Sequence, residues 1–256
     1  MDKPALLFIG GGWHTPDSYS KLINALEAAG HQVHCPRLPS MKQERPPTAS
    51  LADDSEHIRA CAEQLIKDGS RIIAIMHSYG GQVGTNCLHG LGVKTLSAMG
   101  RNGGVSHLIY LCAFALPEGG SMAGKVREMG HEALMPIAFD FADDMTVLCR
   151  DPKTQLVGED ADEKESENYL PSLVRWNGQA MYDSISHCAW REIPVTYVYT
   201  TNDATVPLDY QKSMVALLEE QGQTVKTCEL QTGHCPNLTA TDGVVAIINE
   251  VVKGEA

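Results

Sequence analysis

Three residues of this sequence could together perform nucleophilic catalysis, namely Ser78, Asp203 and His234. A serine hydroxyl is a poor nucleophile at neutral pH, and a histidine that takes its proton makes it reactive. An aspartate bonded to that histidine would hold the ring in the correct tautomer and stabilise its cation. The three residues therefore predict acyl transfer through a serine nucleophile, provided that the fold brings them together.

The sequence around Ser78 is typical of a sharp turn from a strand into a helix. An apolar run ends at Met76, and Gly80 follows two places after the serine. Such a turn favours small residues two places before and two places after the nucleophile, so that the backbone passes closely. Gly80 meets this requirement and Met76 does not, so we expect a crowded turn on that side. The alternative interpretation is a serine that caps an ordinary helix.

Asp203 and His234 each follow a predicted late strand. Asp203 lies in the segment TNDATVP, where an acid partner would stand, although it could instead cap a turn or the next helix. The nearby Asp209 lies inside the start of a helix, so Asp203 is the better candidate. His234 is one of ten histidines, but it alone follows both other members in a loop after the last strand. The order serine, aspartate, histidine differs from the orders in the two common classes of serine protease.

The glycine run 10–12 after the first strand permits two interpretations. Its turn could supply a backbone N–H to the negative oxygen of a tetrahedral intermediate, with the N–H of Tyr79 as the second donor. A dinucleotide-binding loop would instead need a glycine where Thr15 stands and an acidic residue after the second strand. The residues 34–37 at that point are His-Cys-Pro-Arg. The sequence therefore favours the oxyanion site over the nucleotide site.

Short apolar strands alternate with helical segments along most of the chain. This pattern predicts an α/β fold, a doubly wound and mostly parallel sheet of about six strands with helices on both faces. The predicted strands are 5–9, 32–35, 71–76, 107–114, 195–200 and 224–230. Between residues 116 and 187 no clear strand pattern is visible, and a structureless loop of that length is implausible. We therefore expect a core of residues 1–115 and 188–256 with an inserted helical cap at 116–187.

Composition limits the classes of partner. The formal net charge of −12 and the pI of about 5.2 disfavour nucleic acid and anionic membranes. The apolar run 5–9 is too short for a signal peptide or a membrane span. Eight scattered cysteines without a C-x-x-C pair indicate buried free thiols and no zinc site. The sequence therefore predicts a cytoplasmic protein that acts on small molecules.

Several segments resemble the α/β-hydrolase superfamily, in particular its small cytosolic branch. That branch includes plant methylesterases, hydroxynitrile lyases and fungal and bacterial esterase-like proteins. The resemblance spans nearly the whole chain outside the predicted cap. The matching segments are Phe8–Pro16, His77–Gly81, Leu108–Phe114, Ala189–Pro194 and Gly233–Pro236.

The resemblance implies the site residues, a cap after the fourth strand, no cofactor and no metal. The implied residues are the triad Ser78, Asp203 and His234, an oxyanion hole from the N–H groups of Gly12 and Tyr79, and Trp13, His14 and Tyr169 near the substrate. Met76 departs from the family pattern.

We therefore expect a serine hydrolase that cleaves a carboxylic ester or lactone of a small, largely apolar molecule, in the setting of secondary metabolism. One alternative is a lyase, cyclase or carbon–carbon hydrolase that uses the same triad. Another is a ligand-binding, receptor-like protein on a hydrolase fold. The sequence leaves the oligomeric state open, a homodimer included.

Overall fold

A six-stranded parallel sheet forms the centre of the computed structural model, which describes residues 3–158 and 161–254. The strands of the described residues are β1 (Ala5–Ile9), β2 (Val33–His34), β3 (Arg71–His77), β4 (Gly104–Leu111), β5 (Phe139–Phe141), β6 (Thr146–Cys149), β7 (Trp176–Asn177), β8 (Val195–Thr200) and β9 (Val225–Leu230). The central sheet has the order β2-β1-β3-β4-β8-β9, and every neighbouring pair in it is parallel. This arrangement confirms the predicted fold class.

Helices cover both faces of this sheet. The helices of the described residues are α1 (Ser20–Ala28), α2 (Leu51–Lys67), α3 (Tyr79–Cys87), α4 (Val93–Ala98), α5 (Met122–Glu128), α6 (Met135–Ala138), α7 (Glu163–Tyr169), α8 (Leu208–Glu220), α9 (Pro236–Thr239) and α10 (Thr241–Gly254). Within the described ranges, none of these helices combines the length and the apolar character needed to cross a bilayer.

The central strands are apolar on both faces because each face is covered. Leu6 and Phe8 of β1 point into a cluster with residues of α1 and α10. Leu7 and Ile9 point into the opposite cluster, with residues of α2, α3 and α8. Strands covered on both sides show continuous apolar runs without alternation, which is why these runs were readable as strands of a parallel sheet.

Parallel pairing brings three loops to one edge of the sheet. Ser78 follows directly after β3, and Asp203 lies three residues after the end of β8. His234 lies four residues after the end of β9, which pairs with β8. The carboxyl ends of parallel strands lie at the same edge, and this edge is where open α/β sheets bind ligands.

The fourth strand differs in its bounds from the prediction. It covers Gly104–Leu111 and not residues 107–114. Cys112 has a φ of 41°, which takes the backbone out of the extended region and ends the ladder. The apolar residues after it, Ala113 and Phe114, are buried loop residues at the site edge.

The segment between β4 and β8 contains both helices and strands. Helices α5, α6 and α7 lie here as expected, but β5, β6 and β7 form a small antiparallel sheet. The expectation that this segment has no strand is therefore wrong. These strands are three, four and two residues long, too short for an alternating pattern to be recognised. The division into core and cap stays a prediction, and we call residues 116–187 the cap segment.

Candidate active site

Ser78 lies at a strained turn between β3 and α3. Its φ of 53° and ψ of −119° fall in a region that residues other than glycine rarely adopt. Its carbonyl accepts hydrogen bonds from the N–H groups of Gly81, at 3.0 Å, and Phe114, at 3.1 Å. The surrounding backbone thus holds the strained conformation and raises the hydroxyl above the sheet edge.

The glycines that follow Ser78 are required by close packing. A Cβ on Gly80 would lie 2.1 Å from the carbonyl oxygen of Ile9, so only glycine allows the turn to pass β1. A Cβ on Gly84 would lie 2.3 Å from the Sδ of Met76. The side chain of Met76 therefore occupies the space that Gly84 leaves empty. The side chain of Met76, which we expected to crowd the turn at Ser78, is instead accommodated next to Gly84, one helical turn after Gly80. The turn at Ser78 therefore keeps its shape.

Ser78, His234 and Asp203 form a hydrogen-bonded row. The Nε2 of His234 lies 2.9 Å from the Oγ of Ser78, and its Nδ1 lies 2.7 Å from the Oδ2 of Asp203. A carboxylate oxygen accepts, so Nδ1 carries the ring proton and Nε2 is the acceptor for the serine hydroxyl. All three residues are buried. The structure thus brings together the three residues that the sequence singled out.

The carboxylate of Asp203 is held by four donors. Its Oδ1 accepts from the backbone N–H groups of Thr205, at 2.8 Å, and Val206, at 2.7 Å. Its Oδ2 accepts from the hydroxyl of Thr200, at 2.9 Å, in addition to His234. These bonds fix the direction from which the carboxylate faces the imidazole. By contrast, Asp209 lies in the first turn of α8.

The two predicted oxyanion donors lie on either side of Ser78. Tyr79 is the first residue of α3, and the N–H groups of a first helical turn have no partner within the helix. Gly12 lies in the turn after β1 and lines the same cavity as Ser78. The assignment of these two N–H groups as an oxyanion hole stays a prediction.

A neutral histidine connects the glycine run to the loop of His234. The Nε2 of His77 lies 2.7 Å from the carbonyl of His234, so this nitrogen donates. Its Nδ1 then accepts from the hydroxyl of Tyr19, at 2.8 Å, which in turn accepts from the N–H of Gly11, at 2.8 Å. Burial, with the nearby His234 and His14, keeps the pKa of His77 well below its usual range. The chain of bonds fixes both loops relative to the nucleophile.

A second histidine, His14, bonds the backbone of the glycine run after β1. The Nδ1 of His14 donates to the carbonyl of Gly12 at 2.6 Å, and its Nε2 lies 2.6 Å from the hydroxyl of Tyr169. Burial lowers the pKa of His14 to about 3, so the ring is neutral. The hydroxyl of Tyr169 also lies 3.2 Å from the Sγ of Cys235. His14 and Tyr169 therefore contact each other.

A buried carboxylate, that of Asp54, bonds the side chain of Tyr79. Asp54 of α2 accepts from the hydroxyl of Tyr79, at 2.8 Å, and from the N–H and hydroxyl of Ser40, at 2.8 and 2.5 Å. The hydroxyl of Ser40 also accepts from the indole N–H of Trp176, whose ring packs 4.7 Å from that of Tyr79. Asp54 thus supports Tyr79 directly and Trp176 through Ser40. Burial outweighs these hydrogen bonds and raises the pKa of Asp54 to about 6.

The hydroxyl of Ser78 faces a small apolar cavity of about 40 Å³. It lies between the sheet edge and the cap segment. Its lining residues are Gly12, Trp13, Ser78, Phe114, Met122, Ala123, Val126, Met135, Phe139, Trp176, Met181 and Thr205. Trp13 is among them, whereas His14 and Tyr169 are not, so a substrate contact by those two residues stays a prediction. A larger open groove of about 750 Å³, between β2 and α2, includes no residue of the row.

One cluster of the described residues has the composition of a metal site. The ligand atoms of His77, Cys112 and His234 lie within 4.8 Å of one another. The ring nitrogens of both histidines are already engaged in the hydrogen bonds described above. Burial raises the pKa of the Cys112 thiol well above its usual range, and a protonated thiol is a poor ligand. The cluster is therefore better explained as part of the hydrogen-bond network around Ser78 and His234.

Sequence reasoning missed several residues that shape the site. Asp54 lies on the buried face of α2 with Leu51, Ile58 and Ala62. A charged residue on a buried helix face is unusual, so the sequence alone could have indicated that Asp54 has a specific partner. His77 directly precedes the nucleophile, and its position alone could have drawn attention. Tyr19 carried no comparable signal, because only the fold places it under the glycine run.

Comparisons with known proteins identify the family of this chain. The model of the alpha/beta hydrolase family matches residues 6–247. The chain is 28% identical over 257 residues to "Alpha/beta hydrolase nvfD" of Aspergillus novofumigatus, covering 100% of this chain and 99% of that protein. It is 26% identical over 260 residues to "Probable hydrolase R7" of a Phoma species, covering 98% and 99% of the two chains.

Solved structures show the same fold at lower sequence identity. Polyneuridine aldehyde esterase superposes with a TM-score of 0.76 at 16% identity, covering 98% of this chain and 99% of the other. A pyrethroid hydrolase from Sphingobium faniae JZ-2 gives 0.72 at 15% identity, covering 98% and 97%. Because the family match extends over most of the chain, this protein belongs to the alpha/beta hydrolase family and is a hydrolase.

Proposed function

We propose that this hydrolase cleaves a carboxylic ester or lactone of a small, largely apolar molecule, with Ser78 as the nucleophile. The observation that carries the proposal is the row of 2.9 and 2.7 Å hydrogen bonds from Ser78 through His234 to Asp203. The strained turn at Ser78 supports it, because strain of this kind is retained where a function needs it.

The first half of the reaction forms an acyl-enzyme. The Oγ of Ser78 bonds to the carbonyl carbon of the ester while its proton passes to the Nε2 of His234. The carbon–oxygen bond to the alcohol then breaks, and His234 returns the same proton to the departing oxygen. Asp203 stabilises the imidazolium between these two events. In a lactone the departing alcohol stays attached to the acyl group.

The second half releases the acid. A water molecule loses a proton to His234 as its oxygen bonds to the acyl carbon, and the bond to Ser78 then breaks. The proton on His234 returns to the serine oxygen. The products are one carboxylic acid and one alcohol, or one hydroxy acid from a lactone. These steps use only protein groups and water.

The N–H groups of Gly12 and Tyr79 would stabilise the negative oxygen of both tetrahedral intermediates. Such donors act where charge develops, and losing one costs roughly 10²–10³ in kcat. The support provided by His14 to the carbonyl of Gly12, and by Asp54 to the hydroxyl of Tyr79, favours this role.

The substrate class is inferred from the cavity. Its lining is apolar apart from Ser78 and Thr205, and three of its residues are methionines. Methionine adapts to irregular apolar shapes, so such a wall favours uncharged groups. Two of the similar solved structures are named as esterases, a methylesterase from Arabidopsis and polyneuridine aldehyde esterase. These names support an ester substrate here.

A fluorophosphonate probe tests the nucleophile. We expect the wild type to gain the mass of one adduct, and Ser78→Ala to gain none. Ser97→Ala changes an exposed serine of α4 and should label like the wild type. Hydrolysis of p-nitrophenyl acetate and butyrate should follow the same order, with His234→Ala inactive.

The reaction type is read from product masses. Hydrolysis adds one water to the ester, whereas lyase or cyclisation chemistry adds none. A folded wild type that takes up no probe would refute the serine mechanism. Labelling without hydrolysis of any ester would favour the lyase or the ligand-binding alternative.

A further inference from the structure

Two cavities meet at one wall beside Ser78. The inner cavity of about 40 Å³ contains the serine, and an outer groove of about 110 Å³ lies next to it. Both are lined by Val126, Met135, Phe139 and Thr205. These four side chains therefore separate two compartments of one route to the nucleophile.

The inner cavity is too small to hold a whole substrate. Sites for small organic ligands usually measure 300–1,000 Å³, and the cavity at Ser78 is far below that range. It has room for the reacting end of an ester only. The longer part of the molecule must extend beyond the wall, and the outer groove is the adjoining space.

The two sides of the wall differ in how firmly they are held. The N–H of Thr205 donates to Asp203, and its hydroxyl donates to the carbonyl of Gln155 in the cap segment at 2.7 Å. Thr205 is therefore fixed from both sides. Met135 lies on the four-residue helix α6, and its three rotatable side-chain bonds let it turn aside. A rotation of the Met135 side chain would therefore widen the wall without disturbing the acid.

The mouth of the outer groove is apolar. Leu134 lines it and is 53% exposed, and Ile137 on the same short segment is 70% exposed. Large apolar side chains gathered at the rim of a cleft are typical of a surface that binds apolar ligands. The segment that carries Met135 thus presents an apolar entrance to solvent.

The lining of the groove also offers hydrogen-bonding groups. The Nδ1 of His131 lies 2.9 Å from the hydroxyl of Tyr210, and the two rings stack at 5.7 Å. Gln155 also lines the groove. Among the described residues that line it there is no Asp, Glu, Lys or Arg. A neutral apolar chain with one hydroxyl or carbonyl oxygen fits these surroundings.

We infer that the outer groove is a second substrate subsite, which holds the longer part of a neutral ester and bonds its distal oxygen through His131 and Tyr210. This inference rests on the proposed esterase function. It makes the residues of the groove determinants of specificity that act on the substrate away from the reacting carbonyl.

The subsite is tested by the ratio of kcat/KM for a long ester to kcat/KM for a short ester. Methyl acetate fits beside Ser78 alone, whereas methyl octanoate and octyl acetate extend beyond the wall on the acyl and the alcohol side. We expect kcat/KM of the wild type for a long ester to exceed that for methyl acetate by about fourfold for each methylene that the groove buries. Whichever long ester shows this gain identifies the half of the substrate that occupies the groove.

Ala138→Phe fills the groove from a residue that lines it but not the inner cavity. It should lower the ratio of long to short ester at least tenfold. Ala98→Phe makes the same change at an exposed alanine of α4 that lines neither cavity, and as the matched control it should leave the ratio unchanged. If circular dichroism shows that Ala138→Phe is unfolded, Leu134→Glu places a charge at the exposed mouth and should lower the same ratio.

The polar pair is tested with a hydroxylated substrate. Tyr210→Phe removes the hydroxyl that bonds His131. It should abolish any preference of the wild type for methyl 8-hydroxyoctanoate over methyl octanoate. The absence of such a preference in the wild type would overturn the polar part of the inference.

These experiments distinguish a failure of the esterase function from a failure of the subsite alone. A wild type that neither takes up a fluorophosphonate nor hydrolyses methyl acetate would overturn the esterase function and the subsite with it. Normal labelling and hydrolysis, with a ratio of long to short ester unaffected by Ala138→Phe and Leu134→Glu, would overturn the subsite alone.

Discussion

The hydrogen-bond partners of His234 define the role of each residue in the row. Its Nδ1 faces a carboxylate that already accepts three other hydrogen bonds, and its Nε2 faces the serine hydroxyl. This arrangement selects one tautomer, the one that can take a proton from Ser78. The effect of changing the acid should therefore appear in the chemical step.

Asp203→Asn should lower kcat about 10⁴-fold, because the amide can donate to Nδ1 and so favours the wrong tautomer. Rates of p-nitrophenyl butyrate hydrolysis at saturating substrate measure this loss. Asp209→Asn, six residues later on α8, changes the same chemical group away from the row and should retain the wild-type kcat. Equal losses in the two variants would contradict the assignment of the acid.

Tyr19→Phe should lower kcat roughly tenfold with little change in KM, since a full oxyanion donor is worth 10²–10³ and Tyr19 acts through Gly11. The variant leaves the N–H of Gly11 and the Nδ1 of His77 without their shared partner, which should cost about 1–3 kcal/mol of stability. Steady-state kinetics and urea unfolding measure the two effects. Tyr182→Phe, at an exposed tyrosine, is the control. A raised KM at constant kcat would show that Tyr19 serves substrate binding instead.

At the scale of elements, α3 follows the turn at Ser78 and begins with Tyr79, whose N–H is one of the two predicted oxyanion donors. Gly80 lets the helix pass β1, and Gly84 makes room for Met76 of β3. Helix α2 supports the same helix from the side, through the bond between Asp54 and Tyr79. The position of α3 thus depends on contacts with two strands and one neighbouring helix.

Gly84→Ala should destabilise the protein by about 1–3 kcal/mol, because its Cβ meets the Sδ of Met76. In the background of Met76→Ala the same change should become neutral or stabilising, since alanine favours a helix by up to about 1 kcal/mol over glycine. Urea unfolding of the four chains completes the double-mutant cycle. Additive effects would show that Met76 and Gly84 do not share this space.

Asp54 should make stability depend on pH between about 4 and 6. Its pKa is raised from 3.8 to about 6 by burial, so the folded protein binds the proton more tightly than the unfolded chain does. The contribution of Asp54 to the free energy of unfolding is therefore greatest below the pKa of Asp54 in the unfolded chain. This contribution falls as the pH rises to about 6 and stays constant at higher pH. Asp54→Asn removes this pH-dependent contribution to stability.

The difference in unfolding free energy between wild type and Asp54→Asn should accordingly shrink, on the order of 2–3 kcal/mol, from pH 4 to pH 7.5. Other titrating groups are common to both chains and cancel in this difference. If the difference in unfolding free energy stays constant or widens as the pH rises, Asp54 is ionised throughout and is stabilised by its three hydrogen bonds.

At the scale of the whole molecule, the cap segment and the sheet share one apolar cluster. Val147 and Trp176 of the cap segment belong to the same buried cluster as Met76 and Tyr79. Trp13 joins the two parts further, because its indole donates to the carbonyl of Val147 and its own carbonyl accepts from the N–H of Val174. The turn after β1, which contains Gly12 and Trp13, is therefore held partly by the cap segment.

We expect the whole chain to unfold in one cooperative transition. Urea unfolding followed by far-ultraviolet circular dichroism reports the sheet and helices. Tryptophan fluorescence reports the boundary, because Trp13 and Trp176 lie there. The two midpoints should coincide. Separate transitions would show that the cap segment is a domain that folds independently.

Several parts of this fold were readable from sequence because they depend on local rules. The buried strands are continuous apolar runs, and the turn residues between them stand at fixed offsets from the strand ends. The row of Ser78, Asp203 and His234 was predictable for the same reason, since parallel strands bring their carboxyl ends to one edge. For β4, residues 107–111 of the predicted strand are confirmed. The observed strand begins three residues earlier than predicted, and the predicted end is wrong because of the unusual backbone of Cys112.

The sequence alone therefore determined the fold class and which side chains could perform the chemistry, because both follow from periodicity and from residue type. Only the tertiary structure decided what surrounds that chemistry. Tyr19, His77 and Asp54 acquire their roles from partners distant in the chain, as do the short strands of the cap segment and the wall at Met135. Contacts between distant segments depend on how the layers pack, and no local pattern records that packing.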